Sequence, residues 1–378
     1  NNYMDMSAIT PSSMQLNKLK WETTTEYNTG LDATFLKGKL RFTVDVYQKY
    51  VKDLLQPKVK MPTTIGYGNG YQISYMNSGK MTNKGWEFRV DAVPFQNKDW
   101  RVGVYFNIAH NENKITEMPD NYIEENYTFG NGNYAYRREE GRPMGSFYGY
   151  RYKGVYQNKD ATYARDIEGN VMKDISGNAI VMRNGSYTVA PGDAIYEDVN
   201  HDGVINQYDI VYLGNSNPRL TGGAGLNVSY KQFKLSAIFY GRYGQDVVNA
   251  TRLNNESMRG IDNQSTAVLR RWRNEGDQTD IPRALYGEGY NTLGSDRFVE
   301  DASYLRLKSL SFTYRLPKKA IQRWGFNNID VYVTGYNLFT WTNYTGQDPE
   351  VKTENTYAKD TATTPASIQL VAGFNLSF

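Results

Sequence analysis

The feature that most constrains this chain is an alternation of apolar and polar residues with a period of two. In residues 367–378 every even position from Ile368 to Phe378 is apolar, and five of the six odd positions are polar or glycine. The same alternation runs through 40–47 and 100–108. Successive side chains of a β-strand point to opposite faces, so each segment predicts a strand with one apolar and one polar face.

Nine segments follow this pattern, and the sequence therefore predicts an all-β protein with antiparallel strands. In the seventh segment the apolar positions change parity between Leu307 and Leu310, which predicts a β-bulge near Lys308–Ser309. The segments lie near 23–35, 39–50, 80–93, 99–109, 220–230, 233–243, 303–316, 329–339 and 367–378.

The connections between these segments alternate between short and long. Tight or modest turns follow the first, third, fifth and seventh segments, whereas long connections follow the others, and the longest occupies 110–219. A transmembrane β-barrel has short periplasmic turns and long extracellular loops. A soluble sandwich or jelly roll has no reason to sort its loops by length. The pattern predicts an antiparallel transmembrane β-barrel with long extracellular loops.

The carboxyl terminus predicts the direction of the strands. A last strand that ends in an aromatic residue, here Phe378, is the usual end of an outer-membrane barrel and finishes at the periplasm. The first segment then also runs inward, whereas a bacterial barrel starts in the periplasm and has an even number of strands. We therefore expect an internal cut with at least one strand before residue 1, and residues 1–21 as the tail of an extracellular loop.

The composition agrees with a barrel and argues against several other classes. Mean hydropathy is −0.66, yet 14% of residues are aromatic, and alternating strands keep hydropathy low. Lys and Arg total 43 against 40 Asp and Glu, which does not favour a nucleic-acid partner. Cysteine is absent and His110 and His201 are the two histidines, so histidine- or thiolate-based catalysis has little material.

Several short motifs resemble the SusC/RagA-like TonB-dependent transporters of Bacteroidetes, in family order over nearly the whole chain. They are Leu19–Thr24, Val51–Leu55, Asn77–Glu87, Gly145–Tyr150, Pro191–Asp209, Arg271–Trp272, Ser303–Lys308, Gly335–Thr340 and Gln347–Glu350.

This resemblance implies a 22-stranded barrel around a folded plug. All of 1–378 would belong to one barrel domain as its last nine strands, with the plug, the TonB box and the earlier strands upstream. It also implies active import of an oligosaccharide or oligopeptide across the outer membrane, without catalysis. A SusD-like surface lipoprotein would cap the extracellular loops, and TonB would pull on the plug.

One local motif predicts a calcium site. Calcium prefers six to eight oxygen ligands, which a tight loop with alternating carboxylates supplies. Gly203 takes the sharp-turn position and Ile205 the apolar anchor. An acidic surface loop built from Asx turns remains the alternative. The ligand positions fall on Asp198, Asn200, Asp202, the carbonyl of Val204, Asn206 and Asp209.

Three further sets of residues have expected places in a barrel. The tryptophans near strand ends predict an interfacial aromatic girdle: Trp21, Trp86, Trp100, Trp324 and Trp341. Polar strand residues predict a lumen or plug-contacting face: Arg41, Asp45, Glu87, Arg89, Asp91, Arg101 and Asn107. Loop tyrosines have either a ligand-stacking or a packing role: Tyr67, Tyr71, Tyr122, Tyr127, Tyr134 and Tyr136.

Two other motifs are assigned no chemistry. The glycine-rich 66–70 is interpreted as a flexible loop. Glu139–Glu140, beside Arg137, Arg138 and Arg142, is interpreted as a solvated charge cluster. Two other functions stay open. A soluble, secreted, calcium-dependent carbohydrate-binding domain would explain the calcium motif, but not the sorted loops. An outer-membrane hydrolase would need a nucleophile and base that two histidines scarcely provide.

Overall fold

One antiparallel sheet of nine strands runs through the chain. The computed structural model describes residues 2–3, 6–7, 19–60, 72–77, 79–118, 132–135, 138–354 and 357–378. Each strand pairs with the next one in sequence, so the order in the sheet is the order in the chain. The strands are β1 (Thr23–Phe35), β2 (Leu40–Lys52), β3 (Lys80–Gln96), β4 (Trp100–Glu117), β5 (Leu220–Tyr230), β6 (Phe233–Tyr243), β7 (Tyr304–Arg315), β8 (Asn328–Thr342) and β9 (Gln369–Ser377).

The alternation therefore predicted all nine strands, and it also predicted the irregularity in β7. The register of β7 against both β6 and β8 shifts between Leu307 and Ser309, which confirms the bulge. One boundary is wrong: β4 continues to Glu117 instead of ending near 109, so the long connection begins later than predicted. Beyond His110 the strand still pairs with β3, but Ile115 is its one apolar residue, so it has no run of alternating residues to detect.

The apolar series of each strand forms one face of the sheet. Val46, Phe106 and Phe374 belong to this face and are 55%, 45% and 68% exposed. A membrane β-barrel turns such a face toward lipid. Within the described residues no helix is both long and apolar enough to cross a membrane.

The opposite face carries tyrosines that lie over glycines of the neighbouring strand. A β-carbon added at any of these glycines would overlap the facing tyrosine. Glycine thus provides the space that a large inward-facing ring requires. The directly opposed pairs are Tyr47 with Gly85, Tyr105 with Gly225, and Tyr332 with Gly373.

The rim with short connections is built from tight turns. A turn at Leu36–Gly38 joins β1 to β2, and Asn97 caps the β3–β4 turn by accepting the N–H groups of Asp99 and Trp100. Helix α2 (Lys318–Ile321), followed by the 3₁₀ turn Gln322–Trp324, precedes β8. Helix α1 (Ala250–Asn255) lies at the opposite rim.

At that opposite rim the described residues between β4 and β5, β6 and β7, and β8 and β9 form one packed body, here named the loop cap. Its paired strands are Ser146–Gly149 with Val211–Asn215, Tyr152–Val155 with Ala194–Tyr196, and Arg183–Asn184 with Tyr187–Thr188. A four-stranded sheet has the order Val299–Asp301, Asp246–Asn249, Tyr357–Asp360, Thr353–Glu354. Its 3₁₀ turns are Asp160–Thr162, Gln207–Asp209, Thr266–Arg270, Tyr290–Thr292 and Asp296–Phe298.

Two short hairpins complete the described elements. They pair Leu55–Lys60 with Gln72–Asn77, and Asn2–Tyr3 with Met6–Ser7.

The largest hydrophobic cluster belongs to the loop cap and not to the sheet. It unites residues from the β4–β5 and β6–β7 connections, which makes the cap a folded layer over the rim. Its buried members are Ala135, Tyr148, Tyr150, Tyr156, Ala164, Met182, Val189, Ala194, Tyr196, Ile205, Ile210, Tyr290 and Leu293.

Candidate functional site

The inner face of β1–β4 is a polar wall, as predicted. Asp45 lies opposite Glu87 and Arg41 opposite Asp91 in the strand register. The Arg89 guanidinium donates to both oxygens of Asp91 at 2.8 and 2.9 Å. A cavity of about 460 Å³ opens on this wall, lined by Glu26, Asn28, Asp45, Tyr47, Lys49, Asn83, Glu87 and Asn111. The wall offers hydrogen bonds to whatever fills the lumen.

Arg306 fastens the last long connection to the inner face of β7. Its side chain is 3% exposed, it contacts the Asp348 carboxylate, and it donates to Glu350 at 2.9 Å. Lys308 reaches Glu350 at 2.7 Å. Burial alone would raise the pKa of Asp348. The N–H groups of Ala366 and Glu350 and the Arg306 guanidinium outweigh burial, so the pKa is lowered overall and the carboxylate form is favoured. These four residues, Arg306, Lys308, Asp348 and Glu350, are here named the mouth latch. They hold the β8–β9 connection against the end of β7 at the rim that carries the loop cap.

A second buried charge joins two parts of the loop cap. Asp193 is fully buried and accepts hydrogen bonds from the Tyr187 hydroxyl at 2.7 Å and the Ala190 N–H at 2.8 Å. Arg283, from the β6–β7 connection, donates to it at 2.7 Å. Burial and the bond to Asp193 raise the pKa of Tyr187. The ion pair between Asp193 and Arg283 thus joins the β4–β5 connection to the β6–β7 connection, which is a structural role.

The cap contains an eight-residue repeat that the sequence analysis missed. Backbone N–H groups of Ala164, Met172 and Ile180 donate in a closed cycle to the carbonyls of Ile180, Ala164 and Met172. The two turns between them place Gly169 and Gly177 at positive φ, and Gly185, eight residues further on, has positive φ in the next turn. The signal was visible as Asp166-Ile-Glu-Gly-Asn170 followed eight residues later by Asp174-Ile-Ser-Gly-Asn178.

The predicted calcium ligands lie together in one loop, where their side chains are already hydrogen-bonded. Asp198 accepts the Gly203 N–H at 2.8 Å, and Asp202 accepts the Val204 N–H at 2.8 Å. Asp209 is fully buried and accepts the N–H groups of Val199 and Asn206, both at 2.8 Å.

The rest of the calcium-like loop has the predicted local geometry. Gly203 has φ +78°, Ile205 is buried in the cap core, and the Asn200 amide donates to Asp202 at 2.9 Å. All six candidate ligands offer oxygen, which suits a hard cation. Among the described residues, however, no three acidic or histidine side chains are arranged to hold a metal. Calcium therefore stays a prediction.

The remaining predicted residues lie at the rims or in the cap. The girdle tryptophans range from 38% exposed at Trp86 to 89% at Trp21, and the ring of Phe378 contacts Phe326 with centroids 4.8 Å apart. Tyr134 is buried and donates to the Ser295 carbonyl at 2.7 Å, so its role is packing.

The other loop tyrosines, the glycine-rich 66–70 and Arg137 lie outside the described residues. Beside the charge cluster, Arg142 lies over the Tyr212 ring at 4.4 Å. His110 and His201 contact the carbonyls of Arg219 and Arg165 through Nδ1.

Comparison with known proteins decides the family. The family model described as "TonB dependent receptor-like, beta-barrel" matches residues 2–338. The chain belongs to this family. TonB-dependent receptor P3 of Formosa agariphila is 32% identical over 344 residues, 89% of this chain and 31% of that protein. TonB-dependent receptor SusC of Bacteroides thetaiotaomicron is 29% identical over 369 residues, 95% of this chain and 32% of that protein.

A solved structure extends the similarity to the whole chain. The structure of the RagAB peptide transporter matches with a TM-score of 0.73 and 28% identity, covering 100% of this chain and 38% of the other. The chain thus spans about a third of the length of the relatives it matches. This TonB-dependent receptor barrel is SusC-like, its place is the outer membrane, and its family is one of transporters and not of enzymes. The alternatives of a soluble secreted domain and a hydrolase are therefore wrong.

Proposed function

We propose that the complete protein imports a nutrient oligomer, an oligopeptide or a glycan, across the outer membrane with energy supplied through TonB. The observation that carries the proposal is the match of the whole chain to the RagAB peptide transporter. The polar inner wall supports it as well, since transported polar oligomers need hydrogen-bonding partners along a lumen.

The described strands would form part of a plugged barrel. Nine strands alone leave two unpaired edges, which lipid does not tolerate. We propose that they are strands 14–22 of a 22-stranded barrel, and that the plug contacts the polar wall around Asp45, Lys49 and Glu87. Pulling on the plug would then expose this wall to the transported oligomer.

The loop cap would receive a SusD-like surface lipoprotein. Its packed core and its attachment to β7 through the mouth latch give a partner a firm surface instead of separate loops. In this proposal the lipoprotein captures the ligand, and the cap delivers it to the lumen.

The test of import uses cells that carry or lack the full-length gene, in a background with or without TonB. Each strain receives a labelled oligopeptide mixture and a labelled oligosaccharide mixture. We expect uptake of one mixture to require both the gene and TonB, which also identifies the substrate class. Unchanged uptake of both mixtures in the deletion strain would refute the proposal.

We also propose that the loop containing Asp198 and Asp202 binds Ca²⁺ in a structural role. All the candidate metal ligands are oxygen atoms, and binding of the ion would stiffen the longest connection of the cap. In isothermal titration with Ca²⁺, the purified full-length protein should bind one more ion than the Asp198→Ala/Asp202→Ala variant. A matched Asp166→Ala/Asp174→Ala variant, in turns without the ligand spacing, should bind as the wild type does. Equal binding by all three proteins would refute calcium at this loop.

A further inference from the structure

An arginine on the inner face of β6 lies next to the mouth latch without belonging to it. Arg242 is half-buried and lies one residue before the strand ends at Tyr243, at the rim that carries the loop cap. Its Nε donates to the hydroxyl of Tyr240 at 3.1 Å. Among the described residues no carboxylate forms a salt bridge with this arginine, and neither of its Nη atoms forms a hydrogen bond. Its terminal nitrogens are thus open to a ligand.

Two arginines and two tyrosines alternate where β6 meets β7. In the strand register Arg242 lies opposite Tyr304, and Tyr240 lies opposite Arg306. Directly opposed residues of antiparallel strands share a face of the sheet, so all four side chains belong to the inner face. The ring centroids of the two tyrosines are 6.2 Å apart, and Cζ of Arg306 lies 5.3 Å from the centroid of Tyr304. These four residues are here named the Arg–Tyr patch.

The Arg–Tyr patch and the mouth latch together carry one positive charge that their own carboxylates do not balance. Arg306 is paired with both Asp348 and Glu350, and Lys308 shares Glu350 with it. Arg242 is a third cation beside the same two carboxylates. The unbalanced charge is therefore that of Arg242, which is the cation of this group that lacks a salt bridge.

A second polar group of the Arg–Tyr patch also lacks a partner. Tyr304 is 5% exposed, and its buried hydroxyl forms no hydrogen bond with any described residue. Buried polar groups in native proteins are nearly always hydrogen-bonded. An acceptor oxygen from a bound molecule would satisfy this hydroxyl, just as it would pair with the guanidinium of Arg242.

We propose that the Arg–Tyr patch binds a carboxylate of the transported oligomer. A planar guanidinium such as that of Arg242 matches a carboxylate with two parallel hydrogen bonds. The half-buried ring of Tyr240 offers a flat surface to the neighbouring residue or sugar ring. Peptides carry carboxylates at their carboxyl ends and acidic side chains, and glycans carry them in uronic acids. The inference rests on the proposed import function and narrows its substrate to carboxylate-bearing oligomers.

The position of the Arg–Tyr patch favours the transported oligomer as the source of the carboxylate. The patch lies where β6 ends and β7 begins, so an oligomer delivered by the loop cap meets it on entering the lumen. One unpaired arginine also suits transport, because a passing ligand must be bound and then released. A carboxylate of the plug is the other possible source, and the experiment below distinguishes the two.

Uptake by cells that express the full-length protein tests this inference with four labelled probes. They are neutral amidated peptides, glutamate-containing peptides with a free carboxyl end, neutral oligosaccharides and oligogalacturonates. Within the class whose uptake requires the gene, the carboxylate-bearing probe should have a half-saturating concentration about tenfold lower than the neutral probe, because it gains a charge-assisted contact. Arg242→Gln should abolish this preference and leave uptake of the neutral probe unchanged.

A matched control removes the same charge elsewhere. Arg323 is exposed at the rim with short connections, and Arg323→Gln should keep the preference. Heat-modifiable gel mobility gives the amount of folded barrel in each strain, and uptake is expressed per folded molecule.

The outcomes separate this inference from the proposed import. Gene-dependent uptake without a preference in the wild type, or a preference that survives Arg242→Gln, would overturn the inference and leave import intact. An equal loss of both probes in Arg242→Gln, per folded molecule, would assign the carboxylate to the plug and also overturn it. Uptake of all four probes without the gene would refute import, and this inference with it.

Discussion

The sheet and the loop cap hold together by different means. The sheet is a continuous ladder in which each strand pairs with its neighbour in the sequence. The large side chains of its apolar face remain exposed within the protein and are left for lipid to cover. The cap has short strands, and it buries tyrosines such as Tyr148 and Tyr196 in an internal core. The sheet thus depends on backbone pairing and lipid, whereas the cap depends on side-chain packing, as a water-soluble domain does.

Removing one aromatic ring from each region tests this contrast most strongly. Phe147 is fully buried in the cap beside Phe298, and Phe147→Ala should cost the cap about 3–5 kcal/mol. Phe374 faces outward on β9, and lipid can replace its ring, so Phe374→Ala should cost much less. In urea titrations of the full-length protein, trypsin cleavage reports the cap and heat-modifiable gel mobility reports the barrel. Equal losses in both variants would contradict the contrast.

The mouth latch is the second place to separate the two regions. Arg306→Met would leave Asp348 and Glu350 without their buried guanidinium, at a local cost of about 3–5 kcal/mol. Hydrogen exchange should accelerate in 343–352 while β7 and β8 stay protected. The matched change Arg315→Met breaks an ion pair to Asp330 whose arginine is 59% exposed, and should cost about 0–1 kcal/mol. Unchanged exchange in 343–352 would show that the latch does not hold the connection.

The same contrast explains what could be predicted from the sequence. Alternation located all nine strands and even the bulge at Leu307–Ser309, because one face of each strand meets lipid and a period of two must follow. It failed beyond His110, where β4 continues past the outward apolar face and Ile115 is the one apolar residue, buried at the rim beside Arg142.

The site was harder to predict because its contacts join distant parts of the chain. Arg306 and Glu350 were noticed as parts of two separate motifs, but nothing local indicates that they meet. Likewise Asp193 and Arg283 come from different connections. The eight-residue repeat around Gly169 and Gly177 was local and could have been detected with a search for periods longer than two.

Specific packing is also expected within the sheet, on its inner face. A β-carbon at Gly225 would overlap the ring of Tyr105, so Gly225→Ala should destabilise the barrel by about 1–3 kcal/mol. Gly103→Ala is the matched control, because its nearest neighbours would lie at 3.9 Å. The double variant Tyr105→Ala/Gly225→Ala should lose less than the sum of the single changes. Additive losses in gel-monitored urea unfolding would argue against a specific tyrosine–glycine pair.

The smallest expected effect is a pH dependence of the cap that the sheet does not share. Burial raises the pKa of Asp209, against the lowering effect of the Asn206 and Val199 N–H groups, while the charges of Asp198 and Asp202 raise it further. A carboxyl whose pKa is higher in the folded state binds its proton more tightly there. This residue's contribution is therefore largest below its unfolded pKa and is lost as the pH rises through the folded one.

Asp166 should show the opposite sign. The Asn170 N–H lowers the pKa of this exposed carboxyl, so its contribution is present above the unfolded pKa and is lost on acidification. The measurement is the urea midpoint for trypsin cleavage of the cap, followed in EDTA across the pH range in which carboxyl groups titrate. It is made on wild type, Asp209→Asn and Asp166→Asn. As the pH falls, Asp209→Asn should become less stable relative to wild type, because it lacks the buried carboxyl that gains stability on protonation. Asp166→Asn should become more stable relative to wild type, because it lacks the carboxyl that loses stability on protonation. Since Asp246 and Asp296 titrate alike in all three proteins, parallel curves would mean that burial does not perturb Asp209.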